Sequence, residues 1–137
     1  SGTKTITATD TAINMGIKPA LNTMFLINMQ ITGATASSWY EIGLVNPSTY
    51  WTWGERQNSS SGKDTVSFLV IFNSTNNSTV NSMTVIGASE ETTNRVVASW
   101  TGAEIASING ACMYEAFDNT PVCKAGTVAW QAYKYTL

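Results

Sequence analysis

Along most of this chain apolar and polar residues alternate with a period of two, and that pattern leaves a helix no stripe to bury. "TKTITATDTAI" at 3–13 puts Thr3, Thr5, Thr7, Thr9 and Thr11 on one face and Lys4, Ile6, Ala8, Asp10 and Ala12 on the other. "TMFLINMQIT" at 23–32 sets Phe25, Ile27, Met29 and Ile31 against Leu26, Asn28 and Gln30. "SWYEIGLV" (38–45), "NRVVASW" (94–100) and "TVAWQAYKY" (127–135) behave alike, while "TVSFLVIF" (65–72) is apolar on both faces, as a central strand is. β-Branched and aromatic residues fill these runs.

Turn signals separate them: Gly16 and Pro19, Gly33, Asn46-Pro47, 57–63, 73–79, Gly87, and "DNTP" at 118–121. Asn109-Gly110 is the strongest hairpin signal, because both residues tolerate positive φ. Only "GASEETTNRV" (87–96) could hold a turn of helix. The expected fold is all-β: a single antiparallel β-sandwich, jelly-roll or immunoglobulin-like, of about eight to ten strands. At 137 residues, with no repeat and no linker, 1–137 is expected to be one domain.

Charge sets the class of partner. Asp, Glu, Lys and Arg make up only 12 % of the chain, about half the usual share. The seven cations are scattered and the net charge is −2, which argues against nucleic acid and against an anionic membrane surface. No apolar run approaches a membrane span, so no membrane insertion is expected. The opening "SGTK" lacks a methionine, as after removal of a leader or as a remnant of cloning.

Cys112 and Cys123, in so Thr-, Ser- and Asn-rich a chain, read as a disulfide of a secreted, extracellular protein. Such a bridge would stabilise the fold by roughly 3 kcal/mol. It conflicts with a tight "DNTP" hairpin, which would pair Ala116 with Cys123 and leave Cys112 too far along the strand. The disulfide is preferred, with "MYEAFDNTPV" (113–122) as a stapled loop. Sequons at Asn58, Asn73 and Asn77 mark possible glycosylation; Asn76 also fits the pattern, while Pro47 excludes Asn46.

Catalytic chemistry is poorly supplied. There is no histidine, which removes the usual general base, the Ser-His and Cys-His nucleophile systems and the commonest zinc ligand. No phosphate-cradling loop is present, and nothing pairs two carboxylates at a productive spacing. Glu115, Asp118 and Asn119 match no calcium-loop spacing. No enzyme activity, cofactor or metal is expected.

Two function classes remain. The composition suits a structural or adhesive surface protein: a self-assembling subunit of a surface filament or pilus. Residues 1–13 are its expected donor-strand arm, with Thr3, Thr5, Ile6, Thr7, Ala8 and Thr9 completing a neighbour's open sheet edge. The partner is then another copy, in an oligomer or filament. The alternative is a carbohydrate-binding module or lectin. In "STYWTWGERQNSSSG" (48–62) Trp51 and Trp53 would share one face of a strand, about 7 Å apart, and stack on successive sugar rings. Tyr50, Glu55 and Arg56 would complete that glycan site, at a strand end running into a polar loop. Trp100 and Trp130, in mid-strand, are assigned to the core.

Overall fold

The computed structural model describes residues 2–6, 13–32, 38–46, 50–59, 63–89, 95–115 and 126–137. Ten strands fall among them: β1 (Gly2–Ile6), β2 (Ile13–Asn14), β3 (Thr23–Thr32), β4 (Ser38–Val45), β5 (Tyr50–Ser59), β6 (Lys63–Asn73), β7 (Ser82–Ser89), β8 (Arg95–Thr101), β9 (Gly110–Glu115) and β10 (Gly126–Thr136). They form two open antiparallel sheets, one ordered β1-β10-β3-β6-β7-β8 and the other β2-β9-β4-β5. No helix among the described residues is long and apolar enough to cross a membrane.

Alternation translates directly into burial. In β3, Thr23, Phe25, Ile27 and Met29 are buried, and the residues between them are not. Antiparallel register carries that face across the sheet: Phe25 stands opposite Val70, Ile27 opposite Phe68 and Met29 opposite Val66. Val70 in turn faces Val85, and Phe72 faces Met83. The smaller sheet contributes Ile13, Leu44, Val45 and Ala111 to the same buried cluster. Phe25 and Phe72 meet edge-to-face, with ring centroids 6.0 Å apart at 76°. Trp100 and Trp130 pack against the cluster but remain half-exposed at its margin.

Tertiary demands override several sequence signals. Asn109-Gly110 does not turn a hairpin. Gly110 opens β9 opposite Asn14 of β2, and a Cβ there would lie inside the Ile13 carbonyl. Close backbone approach, not a positive φ, requires this glycine. Before it, a 3₁₀ helix covers Ala103–Ser107 and buries only Ile105, a single contact that produces no helical stripe. Buried Asn46 fastens this helix, its Nδ2 donating to the Glu104 carbonyl at 3.1 Å. The 87–96 segment holds strand at both ends, in β7 and β8, rather than a helical turn over its described part.

Three further boundaries differ. β5 begins at Tyr50 and continues through the polar run to Ser59, so 51–53 lies at the start of the strand and not at its finish. As the edge strand of its sheet β5 has one neighbour, and polar residues suit such an edge. Met113, Tyr114 and Glu115, expected in the stapled loop, continue β9 alongside β4. The 1–13 arm is divided, with β1 at the edge of the larger sheet and β2 at the edge of the smaller.

Asn76 makes the largest share of the side-chain hydrogen bonds in the 74–79 loop, with Asn73 and Asn81 holding its ends. Asn76 Oδ1 accepts from the Ser74 hydroxyl at 2.7 Å and from the Ser78 and Thr79 amides at 3.0 and 3.1 Å. Its Nδ2 donates to Thr79 Oγ1 at 3.3 Å. Asparagine competes well for local backbone partners. Asn76→Ala is therefore expected to lower stability by about 1 kcal/mol, a net value because water replaces part of what is lost in an exposed loop. Urea unfolding checks it; an unchanged midpoint would show that the network is dispensable.

Candidate functional site

β1 lies along β10 with Thr3 opposite Ala129, Thr5 opposite Thr127 and Ile6 opposite Gly126. Among the described residues β10 is its only strand partner. Thr7, Ala8 and Thr9 fall outside the described residues, in the link 7–12 between β1 and β2. Described side chains of the core cluster begin at Ile13, beyond that link. β10 itself is fully paired on its other side by β3, from Thr23–Thr136 to Thr32–Thr127. The arrangement is a single ladder of main-chain bonds between β1 and the remainder of the sheet.

The aromatic cluster is less coherent than its sequence. Tyr50 stands opposite Val45, and Trp51 opposite Leu44. Trp51 is half-buried and packs against the core. Register then breaks: between the pairs Gly43–Thr52 and Glu41–Arg56, Ile42 alone faces Trp53, Gly54 and Glu55. A regular pleat, the basis for two indoles on one face, is interrupted at Trp53 itself. Arg56 comes into register with Glu41, and Asn58 with Trp39, so Asn58 itself lies within β5.

The other sequence-selected residues are dispersed. Asn73 is exposed at the end of β6, its Oδ1 accepting from the Ser74 amide at 2.8 Å. Asn77 is exposed in the loop beyond, with φ 60°. Cys112 stands opposite Gly43, while Cys123, and with it the expected disulfide, lies outside the described residues. A shallow cleft of about 360 Å³ separates 14–19 from 106–109 and offers Lys18 with Asn14, Ser107 and Asn109. Among the described residues no group of three acidic or cysteine side chains comes together.

One feature of the larger sheet went unread in the sequence. On the face turned away from the core, Tyr133, Leu26, Leu69, Ile86 and Val97 fall into one register row across β10, β3, β6, β7 and β8. Tyr135, Met24 and Ile71 occupy the next row. Val97 is 77 % exposed, Tyr133 46 %, Tyr135 47 % and Ile86 43 %, far above the core residues beneath them. The available signal was "TVSFLVIF", apolar on both faces; it marks a strand covered on one side by the core and on the other by nothing among the described residues. Comparison with protein-family models, with curated proteins and with solved structures finds no match to this chain.

Proposed function

We propose that this chain is a non-catalytic, extracellular structural subunit that assembles into a filament by exchange of β1 between copies. Its two sheets are read as one β-sandwich of jelly-roll connectivity. The support for that fold is the strand order: β1-β10-β3-β6 and β2-β9-β4-β5 mirror each other, with β7 and β8 extending the first sheet. Buried residues from both sheets share one cluster, as the inner faces of a sandwich do.

The observation that carries the function is that, among the described residues, β1 is held by β10 alone. An edge strand with one neighbour can be replaced by the same strand from another copy, with the same main-chain bonds and the same register. A contact that gives β1 to one neighbour and accepts β1 from another is head-to-tail, does not close on itself and extends indefinitely. Few charges and many Thr, Ser and Asn residues suit a filament exposed outside the cell. Glycan binding through Tyr50, Trp51 and Trp53 ranks second, because the Trp51 ring rests partly on the core.

The test is the full chain with Lys4→Pro and Thr5→Pro together. Successive N–H groups of a strand point to opposite sides, so one of the two prolines removes a donor aimed at β10. Negative-stain microscopy should show filaments for the parent chain and none for the variant. A parent chain that is uniformly monomeric, or a variant that polymerises as well, rejects strand exchange.

A further inference from the structure

We infer that the outer face of the six-stranded sheet is a second self-association surface, on which another copy of this chain packs sheet against sheet. The inference stands on that face and is independent of strand exchange. Its centre is the row Tyr133, Leu26, Leu69, Ile86 and Val97, extended on one side by Tyr135, Met24 and Ile71, and most of the residues around it are polar and uncharged. By register the face carries two charged residues among those described: Lys63 at the far end of β6, and Arg95 at the start of the edge strand β8, in the row beside Val97. An apolar centre within a polar rim, with Lys, Glu and Asp depleted, is the anatomy of a protein interface and not of a solvated sheet face.

Three observations identify the occupant as a second copy. The first is size. Five strands about 4.8 Å apart, carrying five outward rows about 6.8 Å apart, span roughly 800 Å², which is what each partner of a standard stable interface contributes. The second is self-complementarity. Leu69 lies at the middle of the row, on the central strand of the five. A two-fold axis parallel to the strands sets Leu69 on Leu69 and Tyr133 on Val97; an axis along the row sets every residue on its own copy. Either way apolar meets apolar; the axis along the row is the favoured one, because the axis parallel to the strands would set Lys63 of the central strand on its own copy.

The third is the state of the rim. Part of its polar groups are already paired: Ser67 donates to Asn28 Oδ1 at 2.8 Å, Thr84 and Ser99 share a hydroxyl contact at 2.9 Å, and the Tyr133 hydroxyl donates to Gln131 Oε1 at 3.1 Å. Groups paired within one protomer lose less on being covered than groups bonded only to water. A partner of different polarity would need those groups free. A second copy does not.

Sedimentation velocity of the full chain over a range of concentrations tests this, with the double variant Ile86→Lys, Val97→Lys. Both residues are exposed, so the lysines reach water in the monomer and are buried only on association. The parent chain should associate through this face as well as through β1; with β1 exchange blocked by Lys4→Pro and Thr5→Pro, adding the two lysines should raise the dimer's dissociation constant about a hundredfold or more. Tyr133→Lys, at the opposite end of the row, should weaken the dimer as well and decides the matter if the double variant loses its circular dichroism signature. The Lys4→Pro, Thr5→Pro chain should still dimerise; if it does not, the contact belongs to β1 and the inference is overturned. It is overturned too by a parent chain that is monomeric throughout, by variants that associate as tightly as the parent, or by a monomer that instead binds phosphatidylcholine vesicles through Ile86 and Val97.

Discussion

Gly110→Ala is expected to destabilise the chain by about 3 kcal/mol, at the upper end of what overpacking does, because the obstacle is backbone rather than a side chain that can rotate away. The added Cβ would occupy the position of the Ile13 carbonyl. β2 cannot retreat cheaply. Ile13 is 1 % exposed and Met15 6 %, and the Met15 amide donates to the Asn109 carbonyl at 3.1 Å. Moving β2 outward withdraws two core side chains and breaks the bond that follows them. Thermal unfolding should show a midpoint lowered by about 10 °C. A loss below about 0.5 kcal/mol, the range of an ordinary surface substitution, would mean that β2 does not cross Gly110.

Phe72→Ala should cost about 4 kcal/mol, within the range for emptying a buried phenylalanine site. Phe72 is 1 % exposed and stands in register between Thr23 and Met83, with its ring against the edge of Phe25. Truncation removes buried apolar area, leaves a cavity between two strands that cannot approach each other, and deletes the aromatic pair. Phe72→Leu keeps most of the volume and should cost about 1.5 kcal/mol or less. Denaturant unfolding of the two variants separates cavity from ring chemistry. Equal losses would assign the effect to the aromatic pair; an alanine variant within about 1 kcal/mol of the parent would show that the site collapses freely.

The two proposed contacts differ in kind. Exchange of β1 is head-to-tail and elongates; the outer face is two-fold and pairs. The Lys4→Pro, Thr5→Pro chain should form dimers without filaments. The Ile86→Lys, Val97→Lys chain should form filaments without lateral pairing. Each proposal can fail alone.

Legibility of the fold followed how local each cause is. The alternation of "TMFLINMQIT" placed Phe25, Ile27 and Met29 on the buried face correctly, since a strand's two faces are set by its own pleat. "TVSFLVIF", read as a central strand, lies between β3 and β7 in the interior of the larger sheet, and its second apolar face is turned away from the core. Periodicity reports that a face is apolar and not what covers it. Asn109-Gly110 was misread because a glycine needed for close approach looks like one needed for a turn. The strand end expected after Trp53 failed because an edge strand tolerates the polar residues that normally signal a loop.

The candidate site was legible only in part. The β1 residues stood out as an alternating run, yet its division from β2 depends on which edges were open once β10 and β9 had paired. The five-residue row on the outer face comes from five strands whose mutual register no single segment encodes. By itself the sequence determined the all-β class and, for the regularly alternating runs such as 23–32, the strand and the side of it that carries apolar groups, because these depend on neighbours two residues away. The tertiary structure alone decided which strands pair, why Gly110 must be glycine, and that Leu26, Leu69, Ile86 and Val97 lie side by side, because main-chain pairing joins residues distant in sequence and only its register aligns them.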